Sequence, residues 1–117
     1  SPEIPESVAL LHALKDRGVA VMALSNFGID TFKMARPRYP FLDAFDQRFI
    51  SGHMGVIKPD AAIYQMLEEE TGLSGADLFF TDDRADNIAA AASRHWQTHL
   101  FEGPGGLKTA LTRRGLL

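Results

Sequence analysis

The stretch "LFFTDDRADN", Leu78 to Asn87, places two adjacent carboxylates, Asp82 and Asp83, directly behind a short apolar run. Like charges side by side at the end of a buried strand are costly unless a cation or a chemical task compensates for them. A helix cap accounts for one aspartate but not for both. Hard oxygen ligands for Mg2+, working together with a substrate phosphate, account for the pair. Asn87 would face the same place from the first turn of the following helix and orient one carboxylate, while Arg84 and Asp86 would form a surface pair of little energetic weight.

Two further stretches carry groups suited to phosphate. Ser25 and Asn26 follow an apolar run, and a hydroxyl with loop N–H groups can hold phosphate oxygens without adding charge; the plain alternative is a turn or a helix cap. Lys58 precedes Pro59, which confines it to extended backbone and then starts a helix. A lysine so fixed can neutralise a phosphate and the charge that develops on it during transfer, although a lone loop lysine is usually a solvated surface charge.

The elements that must position these groups alternate. "PESVALLHALKDRG" reads as a helix closed by Gly18, and "VAVMAL" as a strand buried on both faces. "TFKMARPRYPFLDAF" reads as short helical pieces broken by Pro37 and Pro40. "DQRFISG" reads as a second strand, "DAAIYQMLEEETG" as a helix, "DLFF" as a third strand, "RADNIAAAASRH" as a helix, "QTHLF" as a fourth strand and "GGLKTALTRR" as a last helix. "EEE" at Glu68 to Glu70 reads as a solvated helix face, and Trp96, Phe79 and Phe80 as core. This order predicts an α/β fold with a parallel sheet and helices on both faces. In such sheets ligands bind beyond the carboxyl ends of the strands, where "SN", Lys58 and "DD" all fall.

Composition narrows the classes. The chain has 117 residues, 45% hydrophobic and 23% charged, which predicts one ordered domain. A formal net charge of −3 gives no electrostatic reason for nucleic acid or an anionic membrane surface as partner. With no cysteine there is neither a disulfide nor a thiolate metal site. The run Val19 to Leu24 is too short to span a bilayer, and the opening "SPEIPESV" lacks the basic start and apolar stretch of a secretory leader. The expected compartment is the cytoplasm.

"ALSNF", "SGHMGVIKPD" and "FFTDDRADNIAAA" together resemble motifs two, three and four of the haloacid dehalogenase-like (HAD) hydrolase superfamily, in the family's order and over nearly the whole chain. The resemblance is strongest to its capped, sugar-phosphatase-like branch. It implies a Rossmann-like core with Ser25 and Asn26 binding the transferring phosphoryl group and Lys58 stabilising its charge. Asp83 would ligate Mg2+, with Asp82 as a ligand or its supporting partner. The dehalogenating members lack the tandem aspartate, so "DD" favours a phosphatase for small phosphorylated metabolites such as sugar phosphates. The family's first motif, Asp-x-Asp, occurs nowhere in these residues. The resemblance therefore implies that residues 1–117 are a single partial core domain, without the first, central strand, its nucleophile and the helical cap. Alone, the chain is expected to be inactive, since an aspartyl-phosphate mechanism needs that carboxylate.

In the family the first strand lies between "VAVMAL" and "DLFF". Its absence predicts two strand pairs with unpaired inner edges, completed by an N-terminal segment or a second copy, or else collapsed together. Two other functions are weighed. A receiver-like, phospho-accepting signalling domain also clusters acidic residues, Ser/Thr and Lys at strand ends, but in another order. A non-catalytic remnant would bind phosphate or a partner only.

Overall fold

The computed structural model describes residues 3–25, 43–50 and 61–117. Helix α1 (Glu3–Asp16) leads to strand β1 (Met22–Ser25), and strand β2 is Gln47–Ile50. Helix α2 (Ala61–Thr71), strand β3 (Phe79–Asp82), helix α3 (Ala85–Ala92), strand β4 (Gln97–Leu100) and helix α4 (Pro104–Arg113) follow. The strands form two separate parallel pairs, β1 with β2 and β3 with β4. The expected α/β alternation is present, and so is the expected division into two pairs. The apolar run "VAVMAL" enters its strand only at Met22.

Each pair is held by local chemistry. Asp46 accepts the Val21 N–H at 2.7 Å and returns its own N–H to the Val21 carbonyl at 2.8 Å. Lys15 at the end of α1 donates to the Ala44 carbonyl at 2.6 Å and to Asp46 at 3.2 Å. These donors hold the Asp46 carboxyl below its ordinary range, the Val21 N–H most strongly. In the second pair the ladder runs past the strands' ends, from Gln97 N–H to the Leu78 carbonyl and from Phe101 N–H to the Asp82 carbonyl.

Helices cover both faces. Ile63, Tyr64 and Leu67 of α2 share one apolar cluster with Ala91 of α3, with Leu78 and Trp96, and with Met22, Leu24 and Phe80. Leu14 of α1 and Leu107 and Leu111 of α4 form a second cluster with Val21 and Phe79. Residues of one strand thus alternate between faces, as the pleat requires, and each cluster draws on both strand pairs.

Three helices end alike. After α1, Gly18 N–H bonds to Lys15 and Val19 N–H to Leu14; after α4, Gly115 N–H bonds to Thr112 and Leu116 N–H to Leu111. This double bond pattern needs a left-handed residue, supplied by Gly18 at φ 78° and Gly115 at φ 72°. After α3 the same pattern uses His95 at φ 65°, bonded to Ala92 while Trp96 bonds to Ala91. The histidine's Cβ makes that conformation costly.

One sequence reading is corrected. Glu68 is no solvated face residue: only 17% of its side chain is exposed. It accepts a forked pair from Arg94, Nη2 at 2.6 Å and Nε at 3.0 Å, and the Trp96 indole N–H at 2.8 Å. The partners that claim it lie 26 and 28 residues away in the chain, which adjacent glutamates do not reveal.

Two measurements follow. Glu68→Ala leaves Arg94 and Trp96 without their acceptor and should cost roughly 2–3 kcal/mol in urea unfolding. Because Arg94 above all holds the Glu68 carboxyl below its ordinary 4.5, this contribution is full above that pH and fades as pH falls through the lowered value. His95→Gly relieves the left-handed strain and should raise stability by about 1 kcal/mol.

Candidate active site

Asp82 ends β3, and hydrogen bonds orient its carboxylate. Oδ1 accepts the Arg84 N–H at 2.8 Å, which turns the chain into α3, and Oδ2 accepts Asn87 Nδ2 at 3.2 Å. Arg84, rather than either aspartate, occupies the N-cap position of α3, and its side chain makes no capping hydrogen bond. The adjacent Asp83 is exposed. Arg84 and Asp86 form an exposed fork with contacts of 3.1 and 3.0 Å, the surface pair expected from sequence.

Asn87 is 2% exposed, so its bonds are made inside the protein. Its carbonyl accepts the Tyr64 hydroxyl at 3.2 Å, and its side-chain Oδ1 is buried with no hydrogen-bond partner. Tyr64 is itself buried, in edge-on contact with Phe80 at 5.9 Å and Trp96 at 5.4 Å. A chain of contacts therefore runs from the core through Tyr64 and Asn87 to Asp82. Burial, then the negative charges of Asp82 and Asp86, push the Tyr64 hydroxyl up to about 12. Tyr64 escaped the sequence reading; the available signal was a hydroxyl-bearing aromatic between Ile63 and Leu67 on the apolar face of α2.

Ser25 is the last residue of β1, so its backbone lies at a strand's carboxyl end, as Asp82 does. Asn26 and Lys58 lie outside the described residues. The donor set suits a hard divalent cation in kind: Asp82 and Asp83 supply two adjacent carboxylates, the hard oxygen ligands such a cation takes. Among the described residues no group of three or more His, Asp or Glu side chains gathers to hold a metal ion. Mg2+ does not require one, since it commonly takes one or two carboxylates and completes its shell with water and phosphate oxygens. No helix among the described residues is long and apolar enough to cross a membrane.

Spectrophotometric titration checks the Tyr64 environment. Tyr64 should ionise near 12, and the stability tied to its neutral form should be complete below pH 10 and lost as pH rises towards 12.

The sequence and the fold were compared with those of known proteins. The sesquiterpene phosphatase astK of Aspergillus oryzae is 35% identical over 83 residues, covering 71% of this chain and 42% of its own length. The chain thus spans less than half of that relative. A HAD family enzyme from Bacteroides thetaiotaomicron, solved as a magnesium complex, superposes with a TM-score of 0.76 at 26% identity, over 92% of this chain and 56% of its own. It has also been solved with magnesium and inorganic phosphate. A predicted HAD-like hydrolase from Porphyromonas gingivalis shares the fold with a TM-score of 0.80 at 24% identity, over 93% of this chain and 56% of its own. The haloacid dehalogenase-like hydrolase family profile matches residues 1–93, and the chain belongs to that family.

Proposed function

We propose that this chain supplies the phosphate- and metal-binding part of a Mg2+-dependent phosphohydrolase, acting on small phosphorylated metabolites such as sugar phosphates. In this reading Ser25 and Asn26 bind the transferring phosphoryl group, Lys58 neutralises its charge, and Asp83 and Asp82 hold the cation. The nucleophilic aspartate lies outside residues 1–117, so the isolated chain does not turn over. Bound Mg2+ would supply charge neutralisation at the phosphoryl oxygens. Asn87 keeps the Asp82 carboxylate pointed beyond the end of β3.

The observation that carries this reading is the Asp82 carboxylate, at a strand's carboxyl end and oriented there by the Arg84 N–H and the buried Asn87 amide. Hydrogen bonds from N–H donors favour the ionised carboxylate, the form that ligates a hard cation. The magnesium-bound Bacteroides enzyme and the Aspergillus phosphatase support the same chemistry.

The test is a phosphatase screen of a longer protein containing these residues, with and without Mg2+. The panel should hold sugar phosphates and, given the Aspergillus relative's name, a terpenoid monophosphate. Hydrolysis should require Mg2+, and Lys58→Ala or Asp83→Asn should lower kcat at least 100-fold, the scale on which a charge-stabilising group acts. Hydrolysis of no phosphate ester, or unaltered rates in both variants, would refute the reading.

A further inference from the structure

Tyr64 lies on the buried face of α2 with Ile63 and Leu67, at 0% exposure, and its ring packs edge-on against Phe80 and Trp96. A phenylalanine would make the same ring contacts. The hydroxyl adds a polar group that must be paired once buried, and its acceptor is the Asn87 carbonyl at 3.2 Å. In the sequence α2 begins three residues after Lys58, and α3 two residues after Asp83. The bond therefore joins the opening turns of the two helices that follow the proposed phosphate- and metal-binding residues.

Asn87 needs a hold of this kind. Its side-chain Nδ2 donates to Asp82 Oδ2 at 3.2 Å, whereas its buried Oδ1 has no hydrogen-bond partner among the described residues. An amide engaged at one end only is costly to bury. Its last torsion is broad, so the side chain fixes its own aim weakly. Beyond the helical ladder the Asn87 main chain is held at two points: its N–H donates to Asp86 Oδ1 at 2.9 Å, and its carbonyl accepts from Tyr64. Asp86 is exposed and forked with Arg84, a surface contact of little weight. The buried hold on Asn87 is the Tyr64 hydroxyl.

We infer that Tyr64 is a positioning residue for the bound cation: its hydroxyl fixes the opening turn of α3, and with it the Asn87 amide that orients the Asp82 carboxylate. This rests on the reading that Asp82 and Asp83 hold Mg2+. Tyr64 touches neither cation nor substrate and carries out no chemical step. Removing its hydroxyl leaves both carboxylates in place but less firmly aimed. The cation is then bound more weakly, and saturating Mg2+ restores the rate.

The test compares two variants of a longer protein containing these residues. Tyr64→Phe keeps the ring and its packing, and Leu111→Ala thins the apolar cluster on the opposite face of the strands. Mg2+ affinity is read by calorimetric titration and as the Mg2+ concentration that half-saturates hydrolysis. In Tyr64→Phe both should weaken roughly tenfold, the scale on which a lost hydrogen bond behind a metal ligand acts, with kcat at saturating Mg2+ within about twofold. Without metal, the Asn87 side-chain amide hydrogens should exchange with solvent roughly tenfold faster in that variant, as its local opening becomes easier. Leu111→Ala should lower the unfolding midpoint further than Tyr64→Phe does, yet leave Mg2+ affinity within about twofold. Unchanged Mg2+ affinity in Tyr64→Phe would overturn the inference. So would an equal loss of affinity in Leu111→Ala, since general loosening would then account for both. A longer protein that hydrolyses no phosphate ester, yet binds Mg2+ with an affinity that depends on the Tyr64 hydroxyl, would leave this inference standing and refute the hydrolase reading alone.

Discussion

On one face of the strands, Tyr64 and Leu67 of α2 pack in a single cluster with Met22 and Leu24 of β1 and with Phe80 and Trp96 of the second pair. On the other, Leu14, Leu107 and Leu111 gather Val21 from the first pair and Phe79 from the second. No backbone ladder joins β1 to β3, so these shared apolar faces keep the two pairs associated. Hydrophobic contact is non-directional and tolerates an opening between the strands in a way that a hydrogen-bonded ladder cannot. The separation of the paired strands follows from that one constraint.

The candidate site inherits its rigidity from the same packing. Tyr64 is wedged edge-on between Phe80 and Trp96 and passes that fixity through Asn87 to Asp82. Glu68, one turn further along α2, gathers Arg94 and Trp96 and ties the end of α3 to the same helix. A half-buried carboxylate with a forked arginine and an indole N–H is well satisfied, and it anchors α3 at the end opposite Asp82. The first turn of α3 can then present Asn87 without the helix shifting. The orphaned Asn87 Oδ1 is the one discordant group in this chain of contacts.

Membership of the haloacid dehalogenase-like family brings the sequence motifs and the fold together. The tandem aspartates open a question of charge that the structure answers unequally. Asp82 is half-buried and locked by its neighbours, whereas Asp83 stands exposed beside it. Two carboxylates of one sequence dipeptide therefore have different freedom, one preoriented and one adaptable, which suits a cation that also takes water and phosphate oxygens.

Much of this was legible in the residues alone. Apolar runs of strand length, helical periodicity and the glycines at 18 and 72 fix the element order, because these signals act over a few neighbouring positions. The carboxylates at 82 and 83 are legible because adjacent like charges have a cost wherever they fold. The sequence also determined the two-pair architecture through the resemblance of its motifs. Tertiary structure alone decided which of three consecutive glutamates is drawn inside, since Arg94 and Trp96 lie 26 and 28 residues away. It alone decided that Tyr64 braces Asn87, and that two apolar clusters each draw on both strand pairs. Those outcomes depend on partners distant in sequence, brought together by packing whose geometry no local pattern records.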